Sequence, residues 1–280
     1  MDSHVASCDN HAILKFRTND FSPFNMADLT DIATLICGGP EVDGAAPECE
    51  VAEVLLHLRS VMESSLSELQ WLSTQSAARV AMYGPFLIRS LLEVAVTAFA
   101  GRLDPTRILV VKRTQEHGSY DTRRAWNSAI RWQGDVVDEK VTDLWTPKRH
   151  YREMTKALFG DYYVEIYWTV ALGLLSDSSI VGGNWLASIK GKTASEFAAT
   201  RRELISKLYS ESSKGVHAEF VIPPGSMYDK MTVANLASQT IQLLSEVGLL
   251  VNLLPHIAYR LSKTSSLQFF NELETIEIMS

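Results

Sequence analysis

The sequence predicts an all-α protein, a helical bundle of six to eight helices with an irregular N-terminal lead-in. Apolar residues recur at steps of three and four over several long stretches, which is the spacing of one face of an amphipathic helix. No convincing strand pattern of alternating apolar and polar residues interrupts them. With 46% hydrophobic residues in 280, the chain has enough apolar material for a large core.

Residues 1–49 are expected to form an irregular segment and linker, and residues 50–280 a single helical domain. Pro23, Gly38 and Pro40 punctuate the first part, where only residues 26–36 have helical spacing. The first helix of the domain is predicted over 51–72.

The second helix is predicted over 76–102, with a bend near Pro85 because proline cannot donate the helical hydrogen bond. Asp104 followed by Pro105 is a helix-start signal and opens a third helix that ends near His117.

The second half of the chain contains three further helical patterns, over 149–175, 195–212 and 228–263. A tryptophan-containing segment and a loop over 133–148 precede them, and Gly215 ends the middle one. The last pattern is expected to bend before Pro255.

The charge is acidic overall and unevenly spread. A net charge of −7 excludes a general polyanion binder. Residues 102–156 nevertheless carry 12 basic and 8 acidic residues, whereas residues 1–101 carry 5 basic and 13 acidic. The basic middle is interpreted either as a solvated helical face or as a surface for a polyanion. The acidic first part leaves a third role open, that of an inhibitor that mimics nucleic acid.

Cysteine usage and the termini bear on the compartment. Cys8, Cys37 and Cys49 are an odd, clustered set without a CxxC pair, which favours a reducing compartment. The N-terminus lacks the features of a signal peptide, and the most apolar segment, 241–254, is too short and polar to span a bilayer. We therefore expect a cytoplasmic protein with no membrane partner.

Strong catalytic motifs are absent. The sequence has no GxxxxGK[ST], GxGxxG, HExxH or GxSxG, so P-loop ATP hydrolysis, zinc proteolysis and α/β-hydrolase chemistry lose their usual support. Cys8, His11, Cys37 and Cys49 are residue types that bind zinc, but their spacings match no compact zinc finger. The sequence predicts no cofactor and no metal site.

Arg89 and Glu93 form the first candidate site. They lie four residues apart in an otherwise apolar helix, so they share a face and can form a charge-assisted pair. Two interpretations stay open, a buried ion pair that sets helix register and a polar group that lines a cleft.

His217 and Lys214 form the second candidate site. His217 follows the break at Gly215, and a histidine with an ordinary pKa could act as a general acid or base at neutral pH. Lys214 could bind a phosphate beside it.

A basic and aromatic run is the third candidate site. Stacking on bases and contacts with phosphates use these residue types, while a core of tryptophans with solvated arginines is the alternative. The residues predicted to bind RNA are Arg123, Arg124, Arg131 and Trp132.

Two short motifs together resemble a known family. One is RSLLE, from Arg89 to Glu93, followed by the helix start at Asp104; the other contains Tyr209, Ser213, Val216 and His217. Together they resemble a group of prokaryotic helical proteins in the HEPN-like superfamily, which occurs in abortive-infection and toxin–antitoxin settings.

This resemblance implies a metal-independent ribonuclease that is usually a homodimer. His217 would be the general acid/base for attack by a ribose 2′-OH, Arg89 or Lys214 would stabilise the phosphorane, and Glu93 would hold Arg89. The family hallmark is an arginine and a histidine separated by four to six intervening residues. The chain departs from it, because residues 210–212 hold no arginine and Arg113 is one residue too close to His117.

Two main classes of function follow. An RNA-cleaving effector in bacterial defence requires Arg89, Glu93 and His217 to converge in one cleft. A non-catalytic interaction protein that binds a partner protein or a nucleotide predicts an exposed apolar patch on a long helix, with His217 buried.

Overall fold

The protein is an all-α bundle in the computed structural model, which describes residues 28–39, 50–124, 129–137, 156–177, 180–214, 227–257 and 259–276. No strand occurs in these ranges. Their α-helices are α1 (Asp31–Cys37), α2 (Glu50–Ser73), α3 (Ala77–Leu103), α4 (Pro105–Glu116), α5 (Asp161–Tyr163), α6 (Thr169–Leu175), α7 (Asn184–Ile189), α8 (Ala194–Lys214), α9 (Lys230–Leu253) and α10 (Lys263–Glu274).

Two long helices, α3 and α9, form the centre of the bundle. They pack against each other, while α2 and α8 pack on α3 and α1 and α10 pack on α9. Residues 243–253 of α9 are all buried, and most of them are apolar. Burial of each leucine there contributes about 2 kcal/mol, so α9 is the main hydrophobic element of the core.

The short helix α1 lies within the N-terminal segment and is part of this core. Its side chains of Ile32, Leu35 and Ile36 are fully buried. Gly248 of α9 permits the close approach, since a Cβ atom at that position would lie 3.1 Å from Leu35 Cγ. The helical spacing of residues 26–36 is therefore confirmed over Asp31–Cys37.

A buried arginine joins α1 to the end of α9. The Arg102 guanidinium donates to the carbonyl of Ile36 at 2.9 Å, to Asn252 Oδ1 at 2.8 Å and to the carbonyl of Tyr259 at 3.3 Å. No carboxylate in the described part of the chain forms an ion pair with it, and burial lowers the pKa of Arg102 to about 10. Gly38 is required beside it, because φ is +77° and a Cβ atom would meet Tyr259 O at 1.7 Å.

A second buried charge is compensated by an ion pair. Arg201 Nε of α8 lies 2.6 Å from Glu246 Oε2 of α9, although the atoms are not aligned for a hydrogen bond. Ser188 and Gln242 each donate to the other carboxylate oxygen at 3.0 Å. Burial raises the pKa of Glu246 despite the nearby Arg201. This pair ties α7, α8 and α9 together.

The bounds of α2, α3, α4 and α8 confirm the predicted helices, whereas the predicted helix over 228–263 is wrong in length. It ends as α9 at Leu253, and Lys263 begins a separate helix, α10. Pro255 is the cause: a residue before proline is forced out of the helical region, and Leu254 has ψ 122°. The helix α7 also lay outside the predicted helices.

None of the helices in the described ranges is both long and apolar enough to cross a membrane.

Candidate functional site

Arg89 of α3 and Tyr209 of α8 meet where these two helices pack together. On α8, Phe197, Arg201, Ile205, Leu208 and Ser212 face the core at helical spacing. Tyr209 follows Leu208 and therefore lies at the edge of this face, half-buried. The two motif residues are 120 positions apart in the chain and are brought into direct contact.

The contact is a three-residue polar cluster. Arg89 Nη2 donates to the Tyr209 hydroxyl at 2.9 Å, and Arg89 Nε donates to Glu93 Oε1 at 3.1 Å. The guanidinium carbon also lies 4.8 Å from the centroid of the Tyr209 ring, within cation–π range. A single turn of α3 thus presents a cation and a carboxylate, and α8 adds a phenol to the same surface.

Trp132 completes the site. Its ring stacks on Tyr209 with 3.8 Å between centroids and 19° between planes. The segment that carries it is held by Asp135, which pairs with Arg107 of α4 and accepts from the backbone N–H of Arg131 at 2.6 Å. We call Arg89, Glu93, Trp132 and Tyr209 the Arg89 site.

The charge states at the Arg89 site are set by mutual contacts. Partial burial by itself would lower the pKa of Arg89, but its hydrogen bonds to Glu93 and Tyr209 raise it. Partial burial raises the pKa of the Tyr209 phenol, and Glu93 acts in the same direction, while Arg89 opposes them. At neutral pH the site therefore holds a guanidinium cation and a protonated phenol.

The site is open to solvent. The side chains of Arg89 and Glu93 are 27% and 49% exposed. The interpretation of a buried ion pair is therefore wrong, because α3 turns this face outward at the edge of its contact with α8. A ligand can approach Arg89 without opening the bundle.

The remaining residues of the second motif are placed only in part. Ser213 Oγ donates to the backbone carbonyl of Tyr209 at 2.6 Å, so it is engaged within α8. Lys214, the last residue of α8, is exposed and pairs with Glu211 at 2.9 Å, and within the described part of the chain it makes no hydrogen bond or ion pair with the Arg89 site. His217 lies outside the described residues, and its convergence with Arg89 and Glu93 stays a prediction.

Of the four residues predicted to bind RNA, only Trp132 belongs to the Arg89 site. Arg123 and Arg124 are exposed and lie near Asp121, at 3.0 and 4.0 Å. Arg131 is exposed next to Trp132. The basic and aromatic residues at 126, 145, 148–150 and 152 lie outside the described residues.

Sequence reasoning missed the pairing of Trp132 with Tyr209. Both residues carry signals, since Trp132 lies in the aromatic run and Tyr209 in the second motif. No periodicity links two positions 77 residues apart, so the stack could not be predicted from spacing.

In the part of the chain that the structure describes, no group of three or more histidine, cysteine, aspartate or glutamate residues is placed to hold a metal ion. Cys37 is buried in the core, and Cys8, His11 and Cys49 lie outside that part.

Comparison of the chain with protein-family models, with curated proteins and with solved structures finds no match. The HEPN-like resemblance therefore rests on the two motifs alone and stays a hypothesis.

Proposed function

We propose that the protein binds RNA at the Arg89 site and cleaves it without a metal ion. The observation that carries the proposal is the hydrogen bond of 2.9 Å between Arg89 and Tyr209, because it joins the two motifs on which the HEPN-like resemblance depends. A resemblance by chance gives no reason for two motifs far apart in the chain to share one surface.

The chemistry of the site suits a nucleotide within a single strand. A guanidinium can bind a phosphodiester through paired hydrogen bonds, and the Tyr209 hydroxyl is a further donor. The half-buried Trp132–Tyr209 stack offers aromatic surface next to Arg89, of the kind on which unpaired bases stack. Glu93 balances the charge of Arg89, so the attraction for RNA is local and does not depend on the net charge of the chain.

In the proposed reaction, His217 removes the proton of a ribose 2′-OH, and the resulting oxygen attacks the adjacent phosphorus. The 5′-oxygen leaves and takes a proton from the His217 imidazolium, and a 2′,3′-cyclic phosphate remains on the other product. Arg89 stabilises the extra negative charge of the phosphorane, and Glu93 orients Arg89. Lys214 is the alternative cation for this role.

The experiment is an RNA-cleavage and RNA-binding assay in EDTA with wild type, His217→Ala, Arg89→Ala and Arg59→Ala. Arg59 is the matched control, because it forms an i,i+4 pair with Glu63 at 2.8 Å with similar exposure, 30% and 40%, but makes no cation–π contact with a described residue. We expect cleavage by wild type and Arg59→Ala only, and binding weakened about 10-fold in Arg89→Ala. Equal background cleavage in all four proteins contradicts the catalytic proposal.

A second function, that of an interaction protein, is favoured by an exposed apolar group on α3. Met82, Tyr83 and Phe86 are all solvent-exposed, Phe86 by 58%. Phe86, Arg89 and Glu93 are spaced to share one helix face, so this group continues into the Arg89 site. Homodimerisation is the form of this role that the HEPN-like resemblance implies. Light scattering on wild type and Phe86→Ser tests it, with a dimer expected for wild type and a monomer for the variant.

A further inference from the structure

A concave surface, here called the α4 cavity, lies between α4 and the segment 117–124, and no residue of the Arg89 site is among its described lining residues. Its cavity has a volume of about 750 Å³, which is within the range of pockets that bind small molecules. One face of α4 provides a wall, since Thr106, Leu109, Val110 and Arg113 recur at helical spacing.

The apolar part of this wall is unusually open. Val110 is 61% exposed although it lines a concavity, and Leu109 and Tyr120 lie around the same space. Branched aliphatic side chains and a phenol ring present flat apolar surface. A planar ring is the ligand group that covers such a surface with the least loss of contact.

The charged side chains among the described lining residues have an excess of one positive charge. Arg113 and Arg124 are the cations and Asp121 is the carboxylate. Asp121 holds Arg124 only loosely, at 4.0 Å, and its closer partner is Arg123. Arg113 is oriented by Glu50 and Glu116, neither of which lines the cavity. An anionic group that enters the cavity therefore meets two guanidinium groups, of which Arg124 is held less closely by a carboxylate.

His117 adds a directed donor. Its Nδ1 accepts from the backbone N–H of Ser119 at 3.3 Å and lies 2.8 Å from Ser119 Oγ. In the neutral imidazole the proton is then on Nε2, which leaves Nε2–H to donate to a ligand. The lining thus combines apolar surface, two guanidinium groups and one ring N–H.

From this combination we propose that the α4 cavity binds a free mononucleotide. The base lies against Val110, Leu109 and Tyr120, and the phosphate lies between Arg113 and Arg124. The cavity is independent of the Arg89 site, so the mononucleotide is a ligand of its own and not the proposed RNA substrate.

Isothermal titration calorimetry tests the proposal. The ligands are AMP, GMP, CMP and UMP, together with inorganic phosphate and adenosine, which probe the phosphate half and the nucleoside half of a mononucleotide. At least one mononucleotide is expected to bind at least 10-fold more tightly than either half. Absence of binding at millimolar mononucleotide overturns the proposal, and so does adenosine binding as tightly as AMP.

Matched variants locate the ligand. Arg124→Ala is expected to weaken binding about 10-fold, and Val110→Asp to abolish it by placing a negative charge against the base. Arg123→Ala is the control, because Arg123 shares Asp121 with Arg124 and is 88% exposed but does not line the cavity. All three side chains are on the surface, so these variants fold. Equal weakening by Arg123→Ala and Arg124→Ala overturns the assignment to this cavity.

Discussion

Two arginines of α3, thirteen residues apart, show opposite uses of the same side chain. Arg102 is 1% exposed and donates mainly to backbone carbonyls and an amide oxygen. Arg89 is partly exposed and bound by a carboxylate and a phenol. Burial lowers the pKa of Arg102, whereas hydrogen bonds raise the pKa of Arg89.

The difference shows which of the two can take a ligand. The acceptors of Arg102 belong to α1, α9 and the residues after α9, so displacing any of them opens the core. The partners of Arg89 are side chains at the surface, and they can rearrange when an anion binds. Arg102 is therefore enclosed mainly by backbone groups of the fold, while the partners of Arg89 are side chains that an anion can displace.

Replacement of Arg102 is expected to have the largest effect on stability. We expect Arg102→Ala to lower the free energy of unfolding by about 5 kcal/mol, because it leaves a cavity and several buried acceptors unpaired. Urea denaturation followed by circular dichroism measures the change. Arg102→Lys is expected to restore little, since one ammonium cannot reach acceptors on three elements. A loss below 1 kcal/mol for Arg102→Ala would show that the cluster is not a structural centre.

The thiol of Cys37 lies near Arg102 and its acceptors, which together form the Arg102 cluster. Its reactivity reports whether this cluster is closed to solvent. Burial raises the pKa of Cys37 from 9.0 to about 12, with Arg102 opposing the shift. At pH 8 the native thiol then has about one thousandth of the thiolate of an ordinary cysteine, and alkylation is expected to be about 10³-fold slower than in urea. A Cys8→Ser/Cys49→Ser variant isolates this thiol.

The same shift predicts a dependence of stability on pH. Because the folded pKa of Cys37 is raised, its contribution to stability is complete below pH 9.0 and is lost as pH rises towards 12. Cys37→Ala should remove this dependence. Alkylation of native Cys37 at the rate seen in urea is the result that contradicts a closed cluster.

The Arg201–Glu246 pair combines features of the two arginines of α3. Arg201 is buried like Arg102, but its charge is balanced by a carboxylate, as in Arg89. Glu246→Ala is expected to cost about 3 kcal/mol, because it leaves Arg201 charged and unpaired in the core. The double variant Arg201→Met/Glu246→Leu should recover most of this loss in thermal denaturation. No recovery in the double variant would mean that the packing of α8 on α9, and not charge, is responsible.

The smallest expected effect on stability is at the Arg89 site itself. Arg89→Ala should cost about 1 kcal/mol, from one hydrogen bond, one cation–π contact and an exposed ion pair, and Arg59→Ala about 0.3 kcal/mol. Equilibrium denaturation of the two variants, next to the RNA assays, separates binding from folding. A loss above 3 kcal/mol for Arg89→Ala would place it with Arg102 as a structural residue.

Much of the helical content could be predicted from the sequence, because periodicity is a local property. The stretches that became α2, α3, α4 and α8 show it clearly, and α4 begins with the predicted cap, where Asp104 accepts from the backbone N–H of Arg107. The end of α9 was also encoded locally, at Pro255, but its apolar spacing continued past the proline and favoured a single helix.

The candidate site could be predicted by its residues but not by its geometry. Arg89, Glu93 and Trp132 all carried a signal, and the spacing of four residues predicted the Arg89–Glu93 pair, whereas the contacts of Arg89 and Trp132 with Tyr209 could not be identified. Their contacts with Tyr209 depend on how α3, α8 and the segment 129–137 pack, and side-chain spacing within one helix says nothing about which neighbouring helix faces it.

By itself the sequence determined that this chain is helical, where most helices begin, and which short motifs carry polar groups in apolar surroundings. The packing of the helices, and not the local sequence, makes Arg102 enclosed and Arg89 open, although both belong to the largely apolar helix α3. The physical reason is that helix formation depends on neighbours within four residues, while burial and partners depend on contacts between elements more than 60 residues apart.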